Sequence, residues 1–90
     1  MRTVEVKVIN RSGLHARPAA RFVQTAMKFK SSITICKGSS CVDAKNILKV
    51  LSLSVDCGDV IVIKTNGPDE EEALKHLLDL LQSVLPSEDR

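Results

Sequence analysis

Between Thr3 and Ile9 apolar and polar positions alternate, with Val4, Val6 and Val8 on one side and Glu5 and Lys7 on the other. A period of two marks a strand with one buried face. The polar stretch from Asn10 to Gly13 breaks it. The period then lengthens: Ala19, Phe22, Val23, Ala26 and Met27 recur at helical spacing, with Arg21, Gln24 and Lys28 opposite. Pro18 is tolerated only in the first turn of such a helix, where a backbone N–H has no intrahelical acceptor. The helix therefore begins at about His15 or Ala16.

Ser32–Lys37 predicts a second strand, with Ile33 and Ile35 on one face. Gly38-Ser39-Ser40 predicts a tight turn, and Cys41–Val42 the start of a short return strand. Asn46–Leu53 carries Ile47, Leu48, Val50, Leu51 and Leu53 and predicts a short helix with Asn46 as its N-cap. Asp56-Cys57-Gly58-Asp59 reads as a turn. Val60–Thr65 is rich in branched residues and predicts a strand, Ile61 and Ile63 inward, Val62 and Lys64 outward. After the turn at Asn66-Gly67-Pro68-Asp69, Glu70-Glu71-Glu72 complements a helix N-terminus. Ala73, Leu74, Leu77, Leu78, Leu81, Val84 and Leu85 then form one apolar stripe. Pro86 is expected to stop that helix, leaving Ser87–Arg90 as a tail.

The resulting order is β-α-β-β-α-β-α. It predicts an α+β fold, a four-stranded and mostly antiparallel sheet with three helices on one face. Ninety residues predict a single domain over 1–90, without internal repeats or linkers.

Composition narrows the function. Hydrophobic residues at 43% and charged residues at 27% fit an ordinary soluble globular protein. No apolar run is long enough for membrane insertion, and the alternating start has no apolar leader, so a cytoplasmic location is expected. Two Phe are the only aromatic residues, which argues against nucleic-acid binding by base stacking. Cys36, Cys41 and Cys57 form no C-x-x-C pair, so reduced thiols and no metal site are expected. The charge is uneven. Residues 1–55 hold ten Lys/Arg and two acids, whereas residues 56–90 hold three Lys/Arg and nine acids. A basic first half suits an anionic ligand or an acidic partner.

The informative segment is Ser12-Gly13-Leu14-His15-Ala16-Arg17-Pro18. Gly13 permits a sharp turn. His15 falls where the helix begins, so the unpaired N–H groups of Ala16 and Arg17 face an anion site. Arg17 adds a planar donor fork suited to phosphate. A phosphoryl group arriving on the ring would meet these donors without any metal.

The segment GLHARPAARFVQTA resembles the active-site segment of the HPr family, the histidine-containing phosphocarriers of the bacterial sugar phosphotransferase system. The resemblance extends through VDAKNILKVLSLSV and CGDVIVIKTNGPDEEEAL, nearly the whole chain. It implies an open-faced β-sandwich and a phosphoryl-transfer component with no cofactor, not a stand-alone enzyme. It further implies that phosphorylated enzyme I transfers its group to Nδ1 of His15, that Arg17 stabilises it, and that a IIA domain receives it. Docking would use Ser12, Ala20 and Gln24 with the apolar Ile47, Leu48 and Leu51, rimmed by Arg17, Arg21, Lys45 and Lys49. A carrier that meets one partner at a time is expected to be a monomer.

One position departs from the family pattern. Many Gram-positive members carry a regulatory serine, phosphorylated by an ATP-dependent kinase, where this chain has Asn46. Asn46 can cap a helix but has no hydroxyl. Ser54 stands where many relatives have glycine. Two alternatives stay open: a nitrogen-type or regulatory paralogue phosphorylated at the same histidine, and a binding module without phosphoryl chemistry. His76 is read as a solvated residue on the polar side of the last helix.

Overall fold

The computed structural model describes residues 1–88. Its elements are β1 (Arg2–Lys7), α1 (Ala16–Met27), β2 (Ser32–Lys37), β3 (Ser40–Asp43), α2 (Ile47–Ser52), β4 (Val60–Asn66) and α3 (Glu70–Asp79). A wide π turn (Leu80–Val84) continues α3 into α4 (Leu85–Glu88). The order along the chain is the expected one. The sheet is β1-β4-β2-β3, antiparallel at every pairing.

The register explains how the sheet buries one face. Val4 lies opposite Ile63 and Val6 opposite Ile61 across β1 and β4. Ile35 lies opposite Ile63, and Ile33 opposite Thr65, across β2 and β4. These positions are buried or, for Val4, packed against the core, so the period-two patterns of three strands add to one apolar surface. Phe22, Ala19 and Ala26 of α1, Val50 of α2, and Ala73 and Leu77 of α3 cover it and are fully or almost fully buried. Ile61 and Ile63 point inward, as expected, while Val62 and Lys64 stay partly exposed.

Two expectations fail. Pro86 does not stop the last helix; it lies within α4. A proline ring would clash with the carbonyl four residues earlier in a regular helix. Here the preceding turn is a π turn, in which the Leu85 N–H reaches back to the Leu80 carbonyl, and the regular ladder is already opened. The expected tail therefore begins as helix through Glu88, and residues 89–90 lie outside the described residues. Secondly, Cys36 and Cys41 are joined in a disulfide and are not free thiols. The hairpin register places them directly opposite each other, with Cα atoms 4.0 Å apart. Cys57 is a free, exposed thiol.

Ser54 follows the short α2 with φ +53, the left-handed conformation usual for glycine just past a helix end. The backbone thus keeps a glycine-like turn at a residue with a Cβ. Among the described residues, no helix is long and apolar enough to cross a membrane.

Candidate functional site

The loop between β1 and α1 is anchored on both sides. Val8 donates its N–H to the Asp59 carbonyl at 2.8 Å, and Gly58 donates to the Val8 carbonyl at 2.7 Å. Asn10 is fully buried, and its Nδ2 donates to the Gly13 carbonyl at 2.7 Å. Gly13 adopts φ +63 because the chain must double back there. Leu14 is fully buried, and its N–H donates to the Val55 carbonyl at 2.9 Å. The next residue, His15, is therefore presented from a fixed base.

His15 is the N-cap of α1, extended at φ −118 and ψ 159, and its side chain makes no capping bond. The ring turns outward instead, and its Nε2 lies 2.7 Å from Oδ1 of Asp56. Ala16 enters the helix at φ +47, in the left-handed region. Such a conformation at an alanine is strained and persists where neighbours over-determine it. The first turn of α1 holds no acid, whereas α3 begins with Glu70, Glu71 and Glu72. The positive end of α1 is thus left without a covalent counter-charge. Pro18, in that first turn, has no N–H to satisfy.

Beside this helix start lies an open depression of about 580 Å³, lined by Ser12, Ala16, Arg17, Pro18, Arg21, Leu85 and Glu88. Arg17 is exposed on its wall. Arg21 is engaged: its Nη1 donates to both carboxylate oxygens of Glu88 at 2.8 Å. Backbone donors at a helix start and a guanidinium on one wall can receive a tetrahedral oxyanion. Among the described residues no group of three or more His, Cys, Asp or Glu side chains could hold a metal ion.

The other residues proposed for docking fall on α1, α2, the loop before α1 and the turn before α2. The two helices pack against each other. Ser12 and Gln24 are exposed and Ala20 is half-buried. In α2 Val50 is buried, Leu51 is half-buried against the core and Ile47 is exposed. Leu48 projects furthest, at 75% exposure. Lys49 is exposed, but Lys45 folds back so that its Nζ donates to the Phe29 carbonyl at 2.7 Å. Lys45 thus contributes less free charge to a basic rim than the sequence suggests. Asn46 caps α2, accepting the Lys49 N–H at 3.2 Å. His76 is exposed; its Nδ1 donates to the Glu72 carbonyl at 2.9 Å, and its ring lies against Phe29.

Sequence reading missed Asp56 and Glu88. Asp56 was read only as a turn residue, because it lies 41 positions from His15. A signal existed: once β1 pairs antiparallel with β4, the exit from β1 must lie beside the entry to β4. Glu88 was hidden by the expected stop at Pro86.

The sequence matches the PTS-HPr family, described as the PTS HPr component phosphorylation site, over residues 2–83. It is 37% identical over 84 residues to the phosphocarrier protein HPr of Haemophilus influenzae, covering 93% of this chain and 99% of that one. It is 44% identical over 79 residues to the HPr-like protein Crh of Halalkalibacterium halodurans, covering 88% of this chain and 92% of that one. The crystal structure of HPr-C-His from Thermoanaerobacter tengcongensis superposes with a TM-score of 0.91 at 49% identity, covering 92% of this chain and 93% of that one. With the four-stranded antiparallel sheet, a histidine at the N-cap position of α1 and a family match across nearly the full length, this chain belongs to the HPr phosphocarrier family.

Proposed function

We propose that this protein accepts a phosphoryl group from phosphorylated enzyme I onto His15 and passes it to IIA domains that serve sugar uptake. The observation that supports this most directly is the placement of His15 as the N-cap of α1, ring turned outward and Arg17 two residues on. The ring supplies a lone pair for phosphorus, and the helix start and Arg17 supply donors for the phosphoryl oxygens. Ala16 contributes a backbone N–H to that set. The partners would dock on Leu48 and Ile47 with the exposed part of Leu51, beside Ser12, Ala20 and Gln24. Arg17 and Lys49 provide positive charge there, and Lys45 and Arg21 provide the remainder from their paired positions. The work of such a carrier is expected in the cytoplasm, by a monomer.

The test is incubation with enzyme I and phosphoenolpyruvate, followed by mass measurement. The expected result is one acid-labile phosphate on the wild type and none on His15→Ala, with circular dichroism unchanged. A phosphorylated His15→Ala would overturn the assignment. A second reading is a regulatory paralogue phosphorylated at the same histidine; its regulatory part draws on the likeness, at 41% identity, to Crh, described as the Bacillus subtilis catabolite repression HPr. Phosphoryl transfer onward to sugar-specific IIA domains supports the first reading; target binding without onward transfer supports the second.

A further inference from the structure

We propose that Asp56 is a positioning residue for His15, holding the imidazole with its proton on Nε2 and its lone pair on Nδ1, and offsetting the charge the ring gains during transfer. This deepens the carrier reading and rests on it. The observation is the 2.7 Å contact between His15 Nε2 and Asp56 Oδ1. An ionised carboxylate only accepts hydrogen bonds. The proton of a neutral ring therefore lies on Nε2, and Nδ1 is the nucleophilic nitrogen.

The contact joins two side chains, and the backbone that carries each of them is held in place. The Asp56 N–H donates to Oδ2 of Asp59 at 2.8 Å. The Asp59 N–H donates to the Asp56 carbonyl at 3.0 Å. Lys37 Nζ holds Asp59 from outside at 3.0 Å. The Asp56 N–H, first, and Lys37 keep the Asp59 carboxyl below the usual carboxylate range, so this clamp is anionic at neutral pH. The neighbouring Val55 carbonyl takes the Leu14 N–H at 2.9 Å. His15 and Asp56 each follow directly on a residue of that bonded pair, so the fold holds their backbones side by side and within side-chain reach.

The chemical step balances as follows. The Nδ1 lone pair forms the N–P bond while the bond from phosphorus to the donor breaks, its electron pair returning to the donor. The Nε2 proton stays in place, and the ring becomes cationic beside the Asp56 carboxylate. In onward transfer the N–P bond breaks and its pair returns to Nδ1. The neutral ring is restored without a proton having moved. A fixed anion at Nε2 stabilises the ring as it becomes charged on accepting the group, and by keeping the proton on Nε2 it lets a neutral imidazole, not an imidazolate, leave in onward transfer.

The test uses Asp56→Ala, Asp56→Asn and the wild type, each checked by circular dichroism. Ring ¹⁵N shifts of unphosphorylated protein are recorded above the imidazole titration. Transfer from enzyme I is measured with carrier concentration varied. The wild type is expected to show the Nε2–H form alone, and Asp56→Ala a mixture with Nδ1–H. Asp56→Asn keeps an acceptor and is expected to retain the Nε2–H form while losing rate. Both variants are expected to lose about tenfold in saturated rate with little change in the Michaelis constant. A wild-type ring protonated on Nδ1, or Asp56→Ala with the wild-type ring form and rate, would overturn the role of Asp56 while leaving the carrier reading intact. Failure of the wild type to take any phosphate would overturn both.

Discussion

Gly13 approaches Val55 so closely that a Cβ built on it would stand 2.3 Å from the Val55 carbonyl oxygen. The same glycine takes φ +63. Lack of room for a Cβ and a left-handed backbone therefore coincide at one position, two residues before His15. Gly13→Ala is expected to cost at least about 2 kcal/mol of stability, from left-handed strain together with a backbone clash that no rotamer relieves. Chemical denaturation checks this. Phosphate acceptance by the folded fraction should fall as well, because the loop that presents His15 must shift.

Arg17 and Leu48 should fail in different ways. Arg17→Ala removes a charged donor that meets the phosphoryl group; such bonds contribute about 1.5–3 kcal/mol. The saturated transfer rate should drop roughly tenfold to a hundredfold. Leu48→Asp puts a charge on the most prominent apolar residue of α2 and should raise the Michaelis constant for the carrier, with less effect on the saturated rate. Steady-state transfer from enzyme I to a IIA domain separates the two. Unchanged affinity for both partners in Leu48→Asp would remove α2 from the docking face.

Asn46 should make the chain a poor substrate for an ATP-dependent HPr kinase. Its side chain already caps α2 by accepting the Lys49 N–H. Serine caps about as well, so Asn46→Ser should leave stability nearly unchanged while supplying the missing hydroxyl. Radiolabelling with kinase and ATP is the measurement. Strong labelling of the wild type at any serine would contradict this.

Asp69 gives the fold an acid-sensitive tie. Its carboxylate accepts the Ser31 hydroxyl at 2.5 Å and the Lys30 and Ser31 N–H groups at 2.9 Å. The Ser31 hydroxyl, first, and then the Lys30 N–H hold its pKa at about 2, against an ordinary 3.8. A depressed pKa means that its contribution is complete above the ordinary value and is lost as pH falls toward the folded one. Urea unfolding should show Asp69→Asn clearly less stable than wild type at pH 7. The gap should narrow between about pH 4 and pH 2.

Ser54→Gly should stabilise the protein by up to about 1 kcal/mol, since the serine already occupies a glycine conformation. Thermal melting is sufficient to see it. The Lys37 ammonium bond to the Ser54 carbonyl, at 2.7 Å, involves backbone and is kept in the variant.

The alternation around Val4–Val8 and Val60–Thr65 was enough to place two strands, and the Ala73-to-Leu85 stripe to place the last helix. Local periodicity carries that information because each pattern faces the same core. The placement of His15 and Arg17 at the start of α1 was legible for a similar reason: the residues that build the helix start are neighbours in sequence. Asp56 was not, since its place beside His15 depends on strand pairing between positions 41 apart. The Cys36–Cys41 bond was missed within a predicted hairpin, because only the exact register sets the two cysteines opposite each other. Pro86 was misread because a rule for regular helices was applied where the helix widens into a π turn.

The His15 side chain is 40% exposed, on a loop held by buried Asn10 and Leu14. Among the described residues, that arrangement leaves the ring open to solvent. On the carrier reading, a phosphoramidate formed there would face bulk water whenever the protein is between partners. Its lifetime in the free state would be set by hydrolysis, and shielding would come only from the surface of whichever partner is bound. Such a molecule works as a relay and not as a reservoir: the fraction of phosphate delivered would depend on how quickly the next acceptor is met.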